Sequence, residues 1–290
     1  MMPMSTEILA HLSQSDAVLA GVIRAVGPYR LEMLSDCHPF EALAQAIAHQ
    51  QLNGTAANTI LRRLIDSCGG GTFPSAQTVL DAPAATLRAV GFSFAKVAAL
   101  KDLAAKTLAE VVPDGATLGQ LGDDEIVGRL TEVRGIGRWT VEMLLIFRLG
   151  RPDVLPVDDF GLRSGFQAAY GLRRLPEPRA LAAWGERWRP YRTAAAWYLW
   201  RALELKRTGA LPAPIEHIRL PRVKKRRRAT IRKRARAKSR RDARPGRAKK
   251  AARATLRRGG VSSARLRRSG ERNRAHRRRG SQSRARASKK

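Results

Sequence analysis

Apolar positions recur at helical spacing through the first 207 residues of this 290-residue chain. Phe40, Leu43, Ala44 and Ile47 stand at i, i+3, i+4 and i+7 and put one apolar stripe on a predicted helix over 39–51. Past Asn53-Gly54 the pattern resumes with Ala57, Ile60, Leu61, Leu64 and Ile65, and Cys68-Gly69-Gly70-Gly71 ends it. The same spacing predicts helices over 15–26, 75–81, 84–90, 94–110, 123–133, 138–149, 159–170, 178–187 and 191–207. The connections are short and marked by Gly, Pro and Asp. No run alternates apolar and polar residues for long enough to argue for a sheet, so the fold class is all-α.

The pattern stops near Pro212, Pro214 and Pro221, where the composition changes. Residues 221–290 hold 32 Lys and Arg against Asp242 and Glu271, a net +30 out of the total of +32, while residues 1–220 carry only +2. The tail has no Phe, Trp or Tyr, so folding would not repay its ordering entropy, and it is read as disordered. Such charge density favours a polyanion. No apolar face accompanies it as a membrane-surface helix requires, which makes nucleic acid the preferred partner, with a solubilising or targeting tail as the alternative. The longest apolar runs, such as Met143–Phe147, are too short to span a membrane. Nothing near Met1 reads as a signal peptide. Two cysteines, Cys37 and Cys68, make neither a thiolate metal site nor an iron–sulfur cluster, and a reducing compartment is expected.

Two stretches carry chemistry. In Arg134-Gly135-Ile136-Gly137-Arg138-Trp139-Thr140 one helix runs into Gly-x-Gly and another leaves at once. The glycines permit a tight reversal, and the amides opening the second helix face outward at its positive end, which suits a phosphate. Taken alone, a plain helix–turn–helix linker explains the stretch equally well. Farther on, Val154-Leu155-Pro156-Val157-Asp158-Asp159-Phe160 sets two carboxylates before an apolar helical run, where an N-cap is the commoner role.

The two stretches together, one helix apart, resemble the helix–hairpin–helix DNA glycosylase superfamily, and within it the monofunctional 3-methyladenine DNA glycosylase II branch. The likeness covers residues 38–207. It implies two helical lobes with the active site between them; the residues ahead of it, 1–37, read from Ser15–Ala25 as an N-terminal helical segment packing on the core. A linker over 208–221 and the basic tail over 222–290 would follow.

Much else rests on that resemblance. Asp159 becomes the catalytic carboxylate, with Asp158 a helix cap or orienter. Trp139, Trp200, Met143 and Phe160 become base-pocket walls, where an indole face favours a cationic methylated purine. Leu52, flanked by Gln51, becomes the wedge that fills the gap left by a flipped nucleotide. Arg134, Gly135, Ile136, Gly137, Arg138 and Thr140 form the phosphate-binding hairpin. Relatives that also cleave the strand carry Lys where Trp139 stands, and no Lys occurs between Lys106 and Lys206, so no lyase step is expected.

The expected activity is therefore removal of alkylated purines from double-stranded DNA, leaving an abasic site. No metal is held by side chains and no cofactor is required, although hairpin carbonyls near Thr131–Ile136 are expected to suit a monovalent cation. A monomer, cytoplasmic and nucleoid-associated if bacterial, is expected. Two alternatives stay open: the same fold acting on deaminated or oxidised purines, since Met143 and Phe160 make the pocket more apolar, or a non-catalytic DNA-architectural protein.

Overall fold

The computed structural model describes residues 5–34, 38–214, 218, 220 and 221. The chain divides into two units, Met1–Lys224 and Lys225–Lys290, and the described residues all lie in the first. Cys37 and the basic tail over 222–290 lie outside the described residues.

Among the described residues there are thirteen α-helices and no strand. They are α1 (Ser5–Ser15), α2 (Ala17–Val26), α3 (Pro39–His49), α4 (Gly54–Leu64), α5 (Ala76–Asp81), α6 (Ala84–Ala89) and α7 (Phe94–Leu108). After these come α8 (Gly115–Gln120), α9 (Asp123–Leu130), α10 (Arg138–Phe147), α11 (Phe160–Ala169), α12 (Pro178–Gly185) and α13 (Arg192–Thr208). Local chemistry sets many of the boundaries. Asn53, Ser75, Ser93 and Asp114 each accept a hydrogen bond from an orphan amide of the helix they precede. Pro39 sits in the first turn of α3, and Asp123, Asp124 and Glu125 crowd the positive end of α9. Gly209, at φ 72°, closes α13 in the left-handed conformation.

Two helices escaped the periodicity. In α1 only Ile8 and Leu12 are buried, too sparse a stripe to register, and α8 offers the single buried Leu118. The predicted helix over 15–26 is split from α1 by Asp16, whose extended backbone (φ −154°, ψ 105°) caps α2.

The helices bury two cores. The first is contiguous in sequence, running from Phe40 to Val154, and all four residues of the α3 stripe lie in it. The second joins the two ends of the folded unit: Ile8, Leu12 and Leu19 from α1 and α2 meet Phe166, Trp188 and Leu199. Leu31 and Trp200 pack against both cores. Leu211, Ile218 and Leu220, in the stretch read as a linker, lie against the second.

Two close approaches fix the second lobe. A Cβ on Gly165 would stand 1.8 Å from the Leu199 carbonyl oxygen, so α11 and α13 touch backbone to backbone there. Deeper in, the buried Asp16 accepts from the amides of Val18 and Leu19 and from the Tyr170 hydroxyl at 2.6 Å. It also accepts from the indoles of Trp184 and Trp188, each at 3.1 Å. No helix is long and apolar enough to cross a membrane among the described residues.

Candidate active site

The crossing between the lobes, residues 148–159, is pinned from both sides. Arg192 and Arg189 hold Asp153 at 2.7 and 2.6 Å. The buried Thr193 hydroxyl donates to the Arg151 carbonyl and accepts from the Val154 amide. Arg151 reaches back to Asp123 and to the Leu121 carbonyl. A tight turn, with the Asp159 amide donating to the Pro156 carbonyl, then delivers Asp159 to the mouth of α11.

Three N–H groups converge on the Asp159 carboxylate. Oδ1 accepts from the Leu162 amide at 2.6 Å and from the Trp200 indole at 2.9 Å; Oδ2 accepts from the Trp139 indole at 2.9 Å. One carboxylate thus joins α10, α11 and α13. Asp159 is itself the N-cap of α11, which corrects the expectation for Asp158. The helix opens at Phe160, so the residue immediately before it fills the cap and Asp158, one place too early, is left exposed. Gly161 leaves room for this arrangement, because a Cβ there would lie 3.2 Å from Asp159 Oδ1 and 3.5 Å from the Trp200 ring.

A cavity of about 640 Å³ opens between α3 and α10 and is lined in part by Trp139, one of the carboxylate's donors; Asp159 itself is not a wall residue. Trp139, Met143, Thr140 and Gln51 line it. Trp200 does not; it stacks on Phe147, a wall residue, at 5.8 Å between ring centroids and 23°. Phe160 is 72 % exposed and is not a wall either. The indoles of Trp139 and Trp200 therefore grip Asp159 through their N–H edges, and of the two only Trp139 lines the cavity. Trp188 and Trp197 are core residues.

Gln51 takes the left-handed conformation at φ 57°, and Leu52 after it is 40 % exposed at the tip between α3 and α4. Two side chains absent from the sequence reading brace this tip. The Lys96 ammonium donates to the Ala48 carbonyl at 2.7 Å, and Gln50 Nε2 donates to the Gly135 carbonyl at 2.8 Å, joining tip to hairpin. Neither has a local signal, since their partners lie 48 and 85 residues away.

In the hairpin, Gly135 has φ 81° and Gly137 precedes α10 without a side-chain cap, which leaves the first amides of α10 open to an anion. Arg134 and Arg138 are exposed beside them, and Ile136 is buried in the first core. Asp102 on α7 accepts from the Arg134 amide at 2.7 Å and from Lys106, whose ammonium also meets the Glu132 carbonyl. Burial raises the Asp102 pKa, but that amide and that ammonium outweigh it and hold the carboxyl below its ordinary range.

A second acid sits behind the site. Glu142 is buried and accepts from Arg138 Nε at 2.9 Å. Burial pushes its carboxyl up; Arg138 opposes this, and the charges of Asp158 and Asp159 add to the rise. Glu142, Asp158 and Asp159 thus feel one another's charge where α10 and α11 meet, with Arg138 paired to Glu142.

A family model described as HhH-GPD superfamily base excision DNA repair protein matches residues 44–190. DNA-3-methyladenine glycosylase 1 of Schizosaccharomyces pombe is 39 % identical over 201 residues, 69 % of this chain and 88 % of the relative. The solved S. pombe 3-methyladenine DNA glycosylase (Mag1) in complex with abasic DNA gives a TM-score of 0.60 over 67 % of this chain and 95 % of its own. A DNA-3-methyladenine glycosidase from Bacillus halodurans, 29 % identical, gives 0.63 over 69 % of this chain and 91 % of its own.

Proposed function

The chain belongs to the HhH-GPD superfamily of base excision DNA repair proteins, and we infer that it is a monofunctional DNA-3-methyladenine glycosylase. The observation that carries the mechanism is the triple N–H clamp on Asp159, one of whose donors, Trp139, lines an open cavity. Duplex DNA lies across the hairpin and the tip, with Leu52 occupying the gap as the damaged nucleotide turns out and its base enters against Trp139.

In a purine alkylated at N3 or N7 the base is already cationic. The bond from C1′ to the purine nitrogen breaks with its electron pair passing to that nitrogen, so the base leaves neutral and the positive charge moves to the sugar. Asp159 faces that charge, and its N–H donors keep it fixed without supplying a countercharge. Water then adds its oxygen to C1′ and gives up one proton, to the carboxylate or to solvent, which completes the hydrolysis. With Trp139 in place of an amine, the product is an intact strand with an abasic site.

The hairpin carbonyls suit a hard monovalent cation. Those of Val133 and Gly135 each accept one neutral donor and retain a second lone pair, whereas the Glu132 carbonyl is taken by the Lys106 ammonium. Such an ion, when bound, offsets carbonyl charge near the phosphate. The tail adds sequence-independent DNA affinity through its +30 charge, and the enzyme acts as a monomer.

Asp159→Asn is the test. Release of 3-methyladenine from methylated duplex should fall by a factor on the order of 10²–10³, with DNA affinity retained. Normal turnover by this variant would sink the mechanism.

A further inference from the structure

We propose that Lys96, acting through the Ala48 carbonyl, ends α3 and so holds Leu52 out as a wedge, which makes it a positioning residue for base extrusion. The proposal rests on the reading of the chain as a glycosylase that turns its base out of the duplex, and it names what sets the wedge. Nothing in the tip's own sequence ends α3. Gln50, Gln51 and Leu52 are good helix formers with neither Gly nor Pro among them, and apolar spacing carries the predicted helix to residue 51. The helix nevertheless stops at His49.

The cause lies on another helix. In a continued α-helix the Leu52 amide would donate to the carbonyl four residues back, that of Ala48. Lys96 takes that carbonyl instead, its ammonium donating at 2.7 Å, and the Leu52 amide turns to the His49 carbonyl at 3.2 Å. Gln50 then leaves at ψ 126° and Gln51 adopts its left-handed φ of 57°. A bond from a charged donor is stronger than the neutral amide bond it displaces, and this offsets the unfavourable backbone of Gln51. The lysine is fixed in its turn. It sits in the first turn of α7, where its amide donates to the Ser93 cap at 3.3 Å. Farther along α7, Asp102 and Lys106 hold the hairpin by the Arg134 amide and the Glu132 carbonyl. One helix therefore sets both tip and hairpin, with Lys96 and Lys106 about 15 Å apart along it. The bond from Gln50 to the Gly135 carbonyl, at 2.8 Å, joins the two directly. Without the ammonium the Leu52 amide recovers its helical partner, and the wedge folds back into α3.

Single-turnover release of 7-methylguanine from two duplexes, each corrected for spontaneous loss, tests this with the full chain. One duplex pairs the lesion with cytosine; the other mispairs it with adenine, so that less pairing opposes extrusion. Lys96→Met keeps the aliphatic stem and removes the donor. It should slow release from the paired duplex about tenfold and from the mispaired one no more than about threefold. Leu52→Ala should shift the paired-to-mispaired ratio in the same direction, and the double variant should lose little beyond Leu52→Ala alone. A ratio taken within one preparation cancels any inactive fraction, and Lys96→Gln serves if Lys96→Met does not fold. An equal loss on both duplexes overturns the proposal, as does a wild-type ratio in Lys96→Met or a double variant whose losses simply multiply. Release from neither duplex by the wild type would instead remove the glycosylase reading, and the proposal with it.

Discussion

Asp159 and Asp16 are both half-hidden from sequence in the same way: each is an N-cap whose remaining acceptor capacity is taken by indoles from distant helices. At Asp159 two of the partners lie 20 and 41 residues away and the cap is only half-buried; at Asp16 the distant partners lie 154 to 172 residues away and the carboxylate is sealed. Burial, and after it the Asp16 charge, pushes the Tyr170 hydroxyl well above its usual pKa. Asp16→Ala strands two indole N–H groups, a phenol and two amides, and should cost about 3 kcal/mol or more in urea unfolding. Glu142 gives a pH signature. The folded chain holds its proton more tightly than the unfolded chain does, so stability falls as pH rises from the ordinary glutamic value through the raised one. The difference between wild-type and Glu142→Gln melting temperatures should show that slope, and a flat difference would mean Glu142 is not strained by burial. Motif spacing made Asp159 and Trp139 legible. It could not show that the Trp200 edge, rather than its face, serves the site, because that depends on how α11 lies on α13.

The contact between those two helices is decided by one atom that is missing. Gly165 lets the Leu199 carbonyl approach so closely that any side chain must push α13 away, carrying Trp200 from Asp159. Gly165→Ala should lose about 3 kcal/mol or more of stability and lower excision even where the chain remains folded. Retention of wild-type turnover would show that the Trp200 clamp is dispensable. At the tip, the left-handed Gln51 stores about 1 kcal/mol or more, which Gln51→Gly should release as a higher melting temperature while loosening the Leu52 wedge. Helix identity was legible for eleven of the thirteen described helices, most plainly where apolar stripes are dense, as on α3, α4, α10 and α11. α1 and α8 bury only two residues and one, and their stripes went unread, although α5 and α6, with one buried residue each, were still found.

Across the whole chain, charge and chemistry are separated: the part holding the site carries +2 and residues 221–290 carry +30. Removing 222–290 should flatten the salt dependence of DNA binding, measured as log affinity against log salt, and leave single-turnover excision of bound substrate unchanged. An unaltered slope would show that the tail does not engage DNA. The lobes divide the chain differently. The first core is complete by Val154, whereas the second needs α1 and α2 together with everything from α11 to α13. On the ribosome this imposes an order. The hairpin lobe has all its residues while α1 and α2 still lack partners, and the Asp16 carboxylate waits for Tyr170, Trp184 and Trp188 to be synthesised. The second lobe, and with it the grip on Asp159, is sealed only as translation passes α13. If Asp159 is the catalytic carboxylate proposed above, a nascent chain released before residue 159 holds the tip and the hairpin but lacks the group that cuts the glycosidic bond.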